Sequence, residues 1–271
     1  MHDWILKSRL VWTGTAVIAL LCAAADAVSA DRQAVAEAVV TNSAVDLRPN
    51  FEKWGLERRL QGGRGTCSVF TVTGALEYAL ASRRGRGTAL SVEFLNWASN
   101  DVTGEANDGG FFSDLWKGFV RHGICTEAEC PYREAFDARL RPSERAFDRA
   151  RELRAVGFQL HWIKPWDVTT GLNDAEFAAI KATLHRQWPV CGGFRWPKDV
   201  KWNDGVLGMA PPEGVYDGHS VLLVGYRDAP DQPGGGVFLI RNSGRGLADA
   251  AMPYEYVRAY MNDALWIESG Q

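Results

Sequence analysis

The chain has 271 residues, 46% hydrophobic and 23% charged, an ordinary globular composition that excludes disorder, collagen and coiled coil. Thirty basic against 33 acidic residues give a net charge of −3, and no dense Lys/Arg block points to nucleic acid. Beyond the N-terminus no apolar run approaches the ~18 residues of a membrane span, and eleven tryptophans supply large apolar side chains for a substantial core.

Residues 1–30 have the pattern of a signal peptide. Lys7 and Arg9 give a positive start, Leu10 to Ala25 form an apolar stretch, and Val28-Ser29-Ala30 offers a small-residue cleavage site before Asp31. The stretch is shorter than the ~20 residues of a membrane anchor. Leu20-Leu21 ahead of Cys22 is bulky where a lipoprotein site needs small residues. The expectation is a secreted or periplasmic protein with no integral membrane segment once residues 1–30 are removed.

Residues 31–60 are mixed and turn-rich. From Cys67 onwards Val69, Val72, Leu76 and Leu80 recur at helical spacing, and Arg83-Arg84-Gly85 supplies the basic residues and glycine of a helix C-terminus. Shorter helical patterns follow at Glu93 to Trp97 and Ser113 to Val120. Pro142 opens another, with Phe147, Ala150 and Leu153 on one face. Asn173 and Glu176 hold capping-box positions ahead of Phe177, Ile180, Leu184 and Trp188. Strand patterns then take over at Val190 to Phe194, Val221 to Tyr226, Val237 to Arg241 and Leu265 to Glu268. Helices first and strands later predict an α+β fold with segregated halves.

Loss of residues 1–30 leaves four cysteines: Cys67, Cys125, Cys130 and Cys191. In an exported chain the first expectation is disulfides. Cys125 and Cys130 share one short loop and can close a small ring; with His122 they make three potential metal ligands and lack a fourth. Cys191 lies in an apolar run and reads as a buried, inert thiol. Cys67 has no evident partner.

Chemistry concentrates around Gln61-Gly-Gly-Arg-Gly-Thr-Cys67. A cysteine in the first turn of a helix meets the positive end of the helix dipole, which favours the nucleophilic thiolate. The glycines ahead of it allow a tight turn and leave room for a substrate. The Lys-Ser/Thr of a phosphate loop is missing. His219, in Tyr216-Asp-Gly-His219-Ser, stands directly before a branched, strand-like run closing on Gly225-Tyr226, and Asn242 ends the next strand in Asn242-Ser243-Gly244. Gln61 precedes Cys67 by six residues; His219 follows it by 152, and Asn242 lies 23 further on.

This ordered set resembles the papain-like cysteine peptidases, in the bacterial form of the family. The likeness continues between the motifs, in Leu90-Ser91-Val-Glu-Phe-Leu95, Asn107-Asp108-Gly109-Gly110, Gly123-Ile-Cys-Thr-Glu-Ala-Glu-Cys-Pro131-Tyr132 and Met252-Pro-Tyr-Glu-Tyr-Val257. The resemblance implies a thiol peptidase domain over residues 31–271. Its helical lobe, about 65–150, and its β-barrel-like lobe, about 151–260, would have the active-site cleft between them. It also implies Cys67 as nucleophile, His219 as proton carrier, Asn242 as its orienting partner, and Gln61 with the Cys67 N–H as oxyanion hole. Gly109 and Gly110 would pair with extended substrate backbone. Peptides or proteins are the implied substrates, and no cofactor or metal is called for.

Three departures from the family pattern bear on this. Ser68 replaces an aromatic, Gly244 replaces the tryptophan that covers the asparagine–histidine bond, and Asn107-Asp108 stand where a cysteine near the glycine pair would form the usual disulfide. Unless another of the many tryptophans fills the space, the Gly244 departure predicts a bond open to water and a slow enzyme. Residues 31–60 are also too short for the large inhibitory prosegment of the animal and plant enzymes. Two alternatives stand beside the peptidase: a weak or inactive papain-like binding module, suggested by Ser68 and Gly244, and a cell-wall Cys/His amidase, whose chains lack Gln61.

Overall fold

A computed structural model describes residues 43–244 and 250–270. The predicted signal peptide, Cys22 and residues 31–42 lie outside the described residues, as do Arg245 and Gly246.

The first elements are a short strand β1 (Ala44–Asp46) and a short helix α1 (Arg48–Lys53). Helix α2 (Cys67–Arg84) begins at Cys67 and stops at Gly85, whose φ of 68° is the left-handed cap that the Arg-Arg-Gly ending predicts. Val69, Val72, Leu76 and Leu80 are fully buried, and so are Ala75 and Ala79 on other faces. A helix apolar nearly all round is a central one. It packs on helices α3 (Val92–Thr103) and α4 (Phe112–His122) on one side and on the sheet on the other. Helix α5 (Glu144–Arg154) packs on α4. Ser91 caps α3 by accepting the Phe94 N–H at 2.9 Å, and Ser143 caps α5, one residue beyond the proline that opens the pattern.

The remaining elements are β2 (Phe158–Lys164), α6 (Asp174–His185), β3 (Val190–Pro197), β4 (Trp202–Asn203), β5 (Val206–Leu207), β6 (Val215–Asp228), β7 (Gly236–Arg241), β8 (Ala250–Pro253), α7 (Tyr254–Tyr260) and β9 (Met261–Ser269). Among the described residues the strands form one sheet in the order β2-β9-β3-β6-β7-β8-β5-β4, with β1 on β6. Pairing is antiparallel except between β5 and β8. The Asn173–Glu176 capping box of α6 is formed, but the helix ends before Trp188 because Gln187 takes a positive φ. The α+β expectation holds, with α3, α4 and α5 grouped on one side of α2 and the sheet, with α6 and α7 packed on it, on the other.

Two irregularities in this sheet shape the site. Phe194 of β3 opposes His219 of β6 and Arg195 opposes Asp217, so Gly218, at φ 127°, is the extra residue of a bulge directly before His219. Gly193 opposes Asp263 of β9 and Phe194 opposes Met261, so the neighbouring ladder slips at the same level. Bulges of this kind re-aim side chains at the end of a pairing region. They also explain why β6 starts at Val215, ahead of the expected Val221: the alternation breaks at Gly218 although pairing does not.

Candidate active site

Cys67, at the first residue of α2, is 8% exposed. Its Sγ lies 3.9 Å from the Gly218 carbonyl oxygen, which brings the helix start against the bulge of β6. A cleft of about 240 Å³ is lined jointly by Cys67, Gly110, Phe111, Trp166, Gly193 and His219. Phe111 and Trp166 meet edge to face across its mouth, 5.3 Å apart. The helical half contributes the thiol and Gly110, the sheet the imidazole.

The His219 ring is fixed on its far side. Its Nε2 donates to Asn242 Oδ1 at 3.0 Å, and the same oxygen accepts the Gly244 N–H at 2.8 Å. With two donors on Oδ1 the amide can sit only one way round. Arg58 donates to the carbonyl oxygens of Asn242 (2.6 Å) and Gly244 (2.8 Å), holding the strand end. Gln61 is framed by the same segment: its N–H reaches Ser243 O at 2.9 Å, and its Oε1 accepts the Ser243 hydroxyl at 2.8 Å. Its Nε2 donates to Arg64 O at 2.8 Å.

Gly109, at φ 80°, lies so close to the Cys67 loop that a Cβ there would stand 2.5 Å from Gly65 O. Only glycine meets both demands. Its N–H donates to Asn96 Oδ1 of α3 at 2.9 Å, and Asn107 O accepts from Asn96 and Asn100. Ser68, buried where the family has an aromatic, lies beside this contact, 3.5 Å from that Cβ position.

Burial acts on both reactive groups. It pushes the Cys67 thiol up from 9.0, opposed by hydrogen bonds from Ser220 and Ser68, and it pulls His219 down from 6.5, opposed by the Asn242 bond. Neither group is charged easily alone, so charge separation between them has to rest on their mutual attraction and the start of α2.

The water-exposed Asn242–His219 bond expected from Gly244 is not what the fold provides. Trp196 of β3, 5% exposed, sets its ring edge against the imidazole with centroids 4.4 Å apart. The cover comes from a neighbouring strand. A Cβ on Gly244 would already stand 3.2 Å from Asn242 Oδ1.

The other singled-out residues lie elsewhere. Cys125 and Cys130 are free thiols side by side in a small apolar cluster under α3 and α5, and their mutual hydrogen bond pushes the Cys125 thiol up. A disulfide between them remains an expectation. His122 turns to Asp101 at 2.8 Å and does not join them. Cys191 is fully buried with its thiol pushed well up by that burial. His161 pairs with Glu268 at 2.8 Å on the sheet surface, stacked on Trp266.

Sequence reasoning passed over Arg58, Arg64, Asn96, Tyr132 and Trp196. Each acts through a partner distant in sequence. Tyr132, for instance, donates its hydroxyl to Gln61 O at 2.9 Å and gives its N–H to Glu127 at 2.7 Å, which supplies the physical reason for the Thr-Glu…Pro-Tyr motif.

The profile of the papain family cysteine proteases matches residues 41–246. Pro-cathepsin H of Bos taurus is 28% identical over 189 residues, covering 68% of this chain and 50% of that protein. The chain thus spans about half the length of the curated relative it matches. Among solved structures, xylellain, a cysteine protease from Xylella fastidiosa, superposes with a TM-score of 0.67 at 21% identity, over 85% of this chain and 87% of that one. Digestive procathepsin L 3 of the Tenebrio molitor larval midgut gives 0.58 at 21% identity, over 84% and 70%. At such identities the structures establish the papain-like two-lobe fold.

Proposed function

This chain belongs to the papain family of cysteine proteases, and from that premise we propose that it hydrolyses peptide bonds through Cys67, His219 and Asn242. The observation that carries the reading is that His219, held by Asn242 at 3.0 Å, lines one cleft with Cys67 at a helix start. With Nε2 committed to Asn242, Nδ1 is the ring nitrogen left for the thiol proton. The thiolate attacks the scissile carbonyl, the tetrahedral oxyanion is met by the Cys67 N–H and the second Gln61 amide hydrogen, and His219 protonates the leaving amine. Water then cleaves the acyl-enzyme with His219 as base. Gly109 and Gly110 take the extended substrate backbone.

The proposal includes export directed by residues 1–30, supported by their sequence pattern alone. Among the described residues no helix is long and apolar enough to cross a membrane.

An epoxide that traps papain-like thiolates tests the assignment. Peptide mapping is expected to find the label on Cys67 and not on Cys125, Cys130 or Cys191, which lie in apolar surroundings without a histidine partner. A label found mainly on Cys191 overturns it.

The pH profile tests the pairing. The reacting form carries one proton shared by Cys67 and His219 and is neutral overall; adding a proton leaves +1 and removing it leaves −1. Burial disfavours both charged forms. The acid limb of kcat/KM is therefore expected below 6.5 and the alkaline limb above 9.0, enclosing a broad plateau. A rate still climbing through pH 9.0 marks a thiol that ionises alone, contrary to the paired site.

A further inference from the structure

Arg64 lies in the glycine-rich loop before the proposed nucleophile, where a long cation is expected to reach into water. It is 6% exposed. Nη1 donates to Glu93 Oε2 at 2.5 Å and Arg133 O at 2.9 Å. Nη2 donates to Asp108 Oδ1 at 2.7 Å and Glu93 Oε1 at 3.3 Å, while Nε reaches both Asp108 oxygens at 3.1 and 3.2 Å. The guanidinium lies 4.7 Å from the centroid of Tyr132, whose hydroxyl in turn meets Gln61 and Thr66.

Burying a charge is costly unless every donor is matched, and here all three nitrogens are. The three segments so joined are the Cys67 loop, helix α3 through Glu93, and the loop in which Asp108 directly precedes Gly109. The backbones of the first and third touch at Gly65 and Gly109. Family resemblance leads to a disulfide near this glycine pair, and this chain has none of its cysteines there.

We infer that Arg64 is a positioning residue: its ion pairs with Glu93 and Asp108 form a charged cross-link that fixes the Gly109–Gly110 edge against the Cys67 loop. The inference rests on the proposed peptidase function. A bidentate fork is needed to hold two carboxylates at once, so lysine cannot replace it. A substrate laid along Gly109–Gly110 reaches Cys67 in register only while this link holds, and a shift on the order of 1 Å is enough to slow attack by up to ~10²-fold.

The test compares an extended peptide amide, which uses the glycine edge, with p-nitrophenyl acetate, which acylates Cys67 without reaching it. Arg64→Met is combined with Glu93→Gln so that the fully buried Glu93 carboxylate is not left unpaired. In this variant kcat/KM for the peptide is expected to fall at least tenfold, while acylation by p-nitrophenyl acetate stays within about threefold of the parent. Adding Gly65→Cys and Asp108→Cys then supplies a covalent link. A Cβ on Gly65 stands 3.7 Å from the Asp108 Cβ, within the range of disulfides. Oxidation of that variant is expected to restore the peptide rate and reduction to remove it again. Parallel loss on both substrates, loss on neither, or an oxidised variant that stays slow overturns the inference. A parent protein that acylates but cleaves no peptide overturns the proposed function instead, and the inference with it.

Discussion

Cys67→Ala is expected to abolish peptide hydrolysis, with kcat falling on the order of a millionfold, as loss of the nucleophile does in a comparable hydrolase. Gln61→Ala is expected to leave a measurable remnant, slowed about 10²–10³-fold, because an oxyanion donor only stabilises charge that Cys67 has already created. The geometry separates the two residues. Cys67 opens a long buried helix whose packing does not depend on its sulfur, so the variant should unfold within a few degrees of the parent. Gln61 ties its loop to Ser243 and Arg64, so its variant combines loss of a donor with some loosening of that loop. Steady-state rates on a peptide amide, with thermal unfolding of each variant as control, check the pair. Retention of more than about 1% of activity by Cys67→Ala removes this thiol from the mechanism.

What could be read from the sequence and what could not divides along physical lines. Helix α2 was legible because its apolar spacing and Gly85 terminus are local signals, and the Asn173–Glu176 box because capping is settled within four residues. Cys67, His219 and Asn242 were legible as an ordered set, Cys67 at a helix start and Asn242 directly after a strand, while His219, expected just before a strand, lies inside β6. The bulge at Gly218 was not, since it is defined by the pairing of β6 with β3, and no local pattern states which residue opposes which. Arg64 and Trp196 were invisible for the same reason. The side-chain partners of Arg64 lie 29 and 44 residues away. Trp196 ends a strand whose other residues read simply as core. The open site expected from Gly244 carried one exception, another tryptophan filling the space, and Trp196 is that tryptophan, though nothing local marks it among the eleven.

That substitution of one cover by another sets the last expected result. Asn242→Ala should be damaging, though less so than His219→Ala, and Gly244→Trp should bring no gain in kcat. The bond from His219 Nε2 to Asn242 Oδ1 is charge-assisted whenever the imidazolium forms, and Trp196 keeps water from its edge. Removing the acceptor leaves a buried N–H without a partner and frees the ring to turn away from Cys67, a cost of about 3 kcal/mol, or ~10²-fold in rate. Trp196→Leu keeps apolar bulk while losing the ring edge, and should slow single-turnover acylation roughly tenfold by weakening the same bond. The two residues therefore act through one interaction, and their effects should not multiply. In the Trp196→Leu background Asn242→Ala should cost less than it does in the parent, because the bond it removes is already wet. If the penalties multiply in full, Trp196 is only a core residue that happens to touch His219, and the strength of the Asn242 bond has another source.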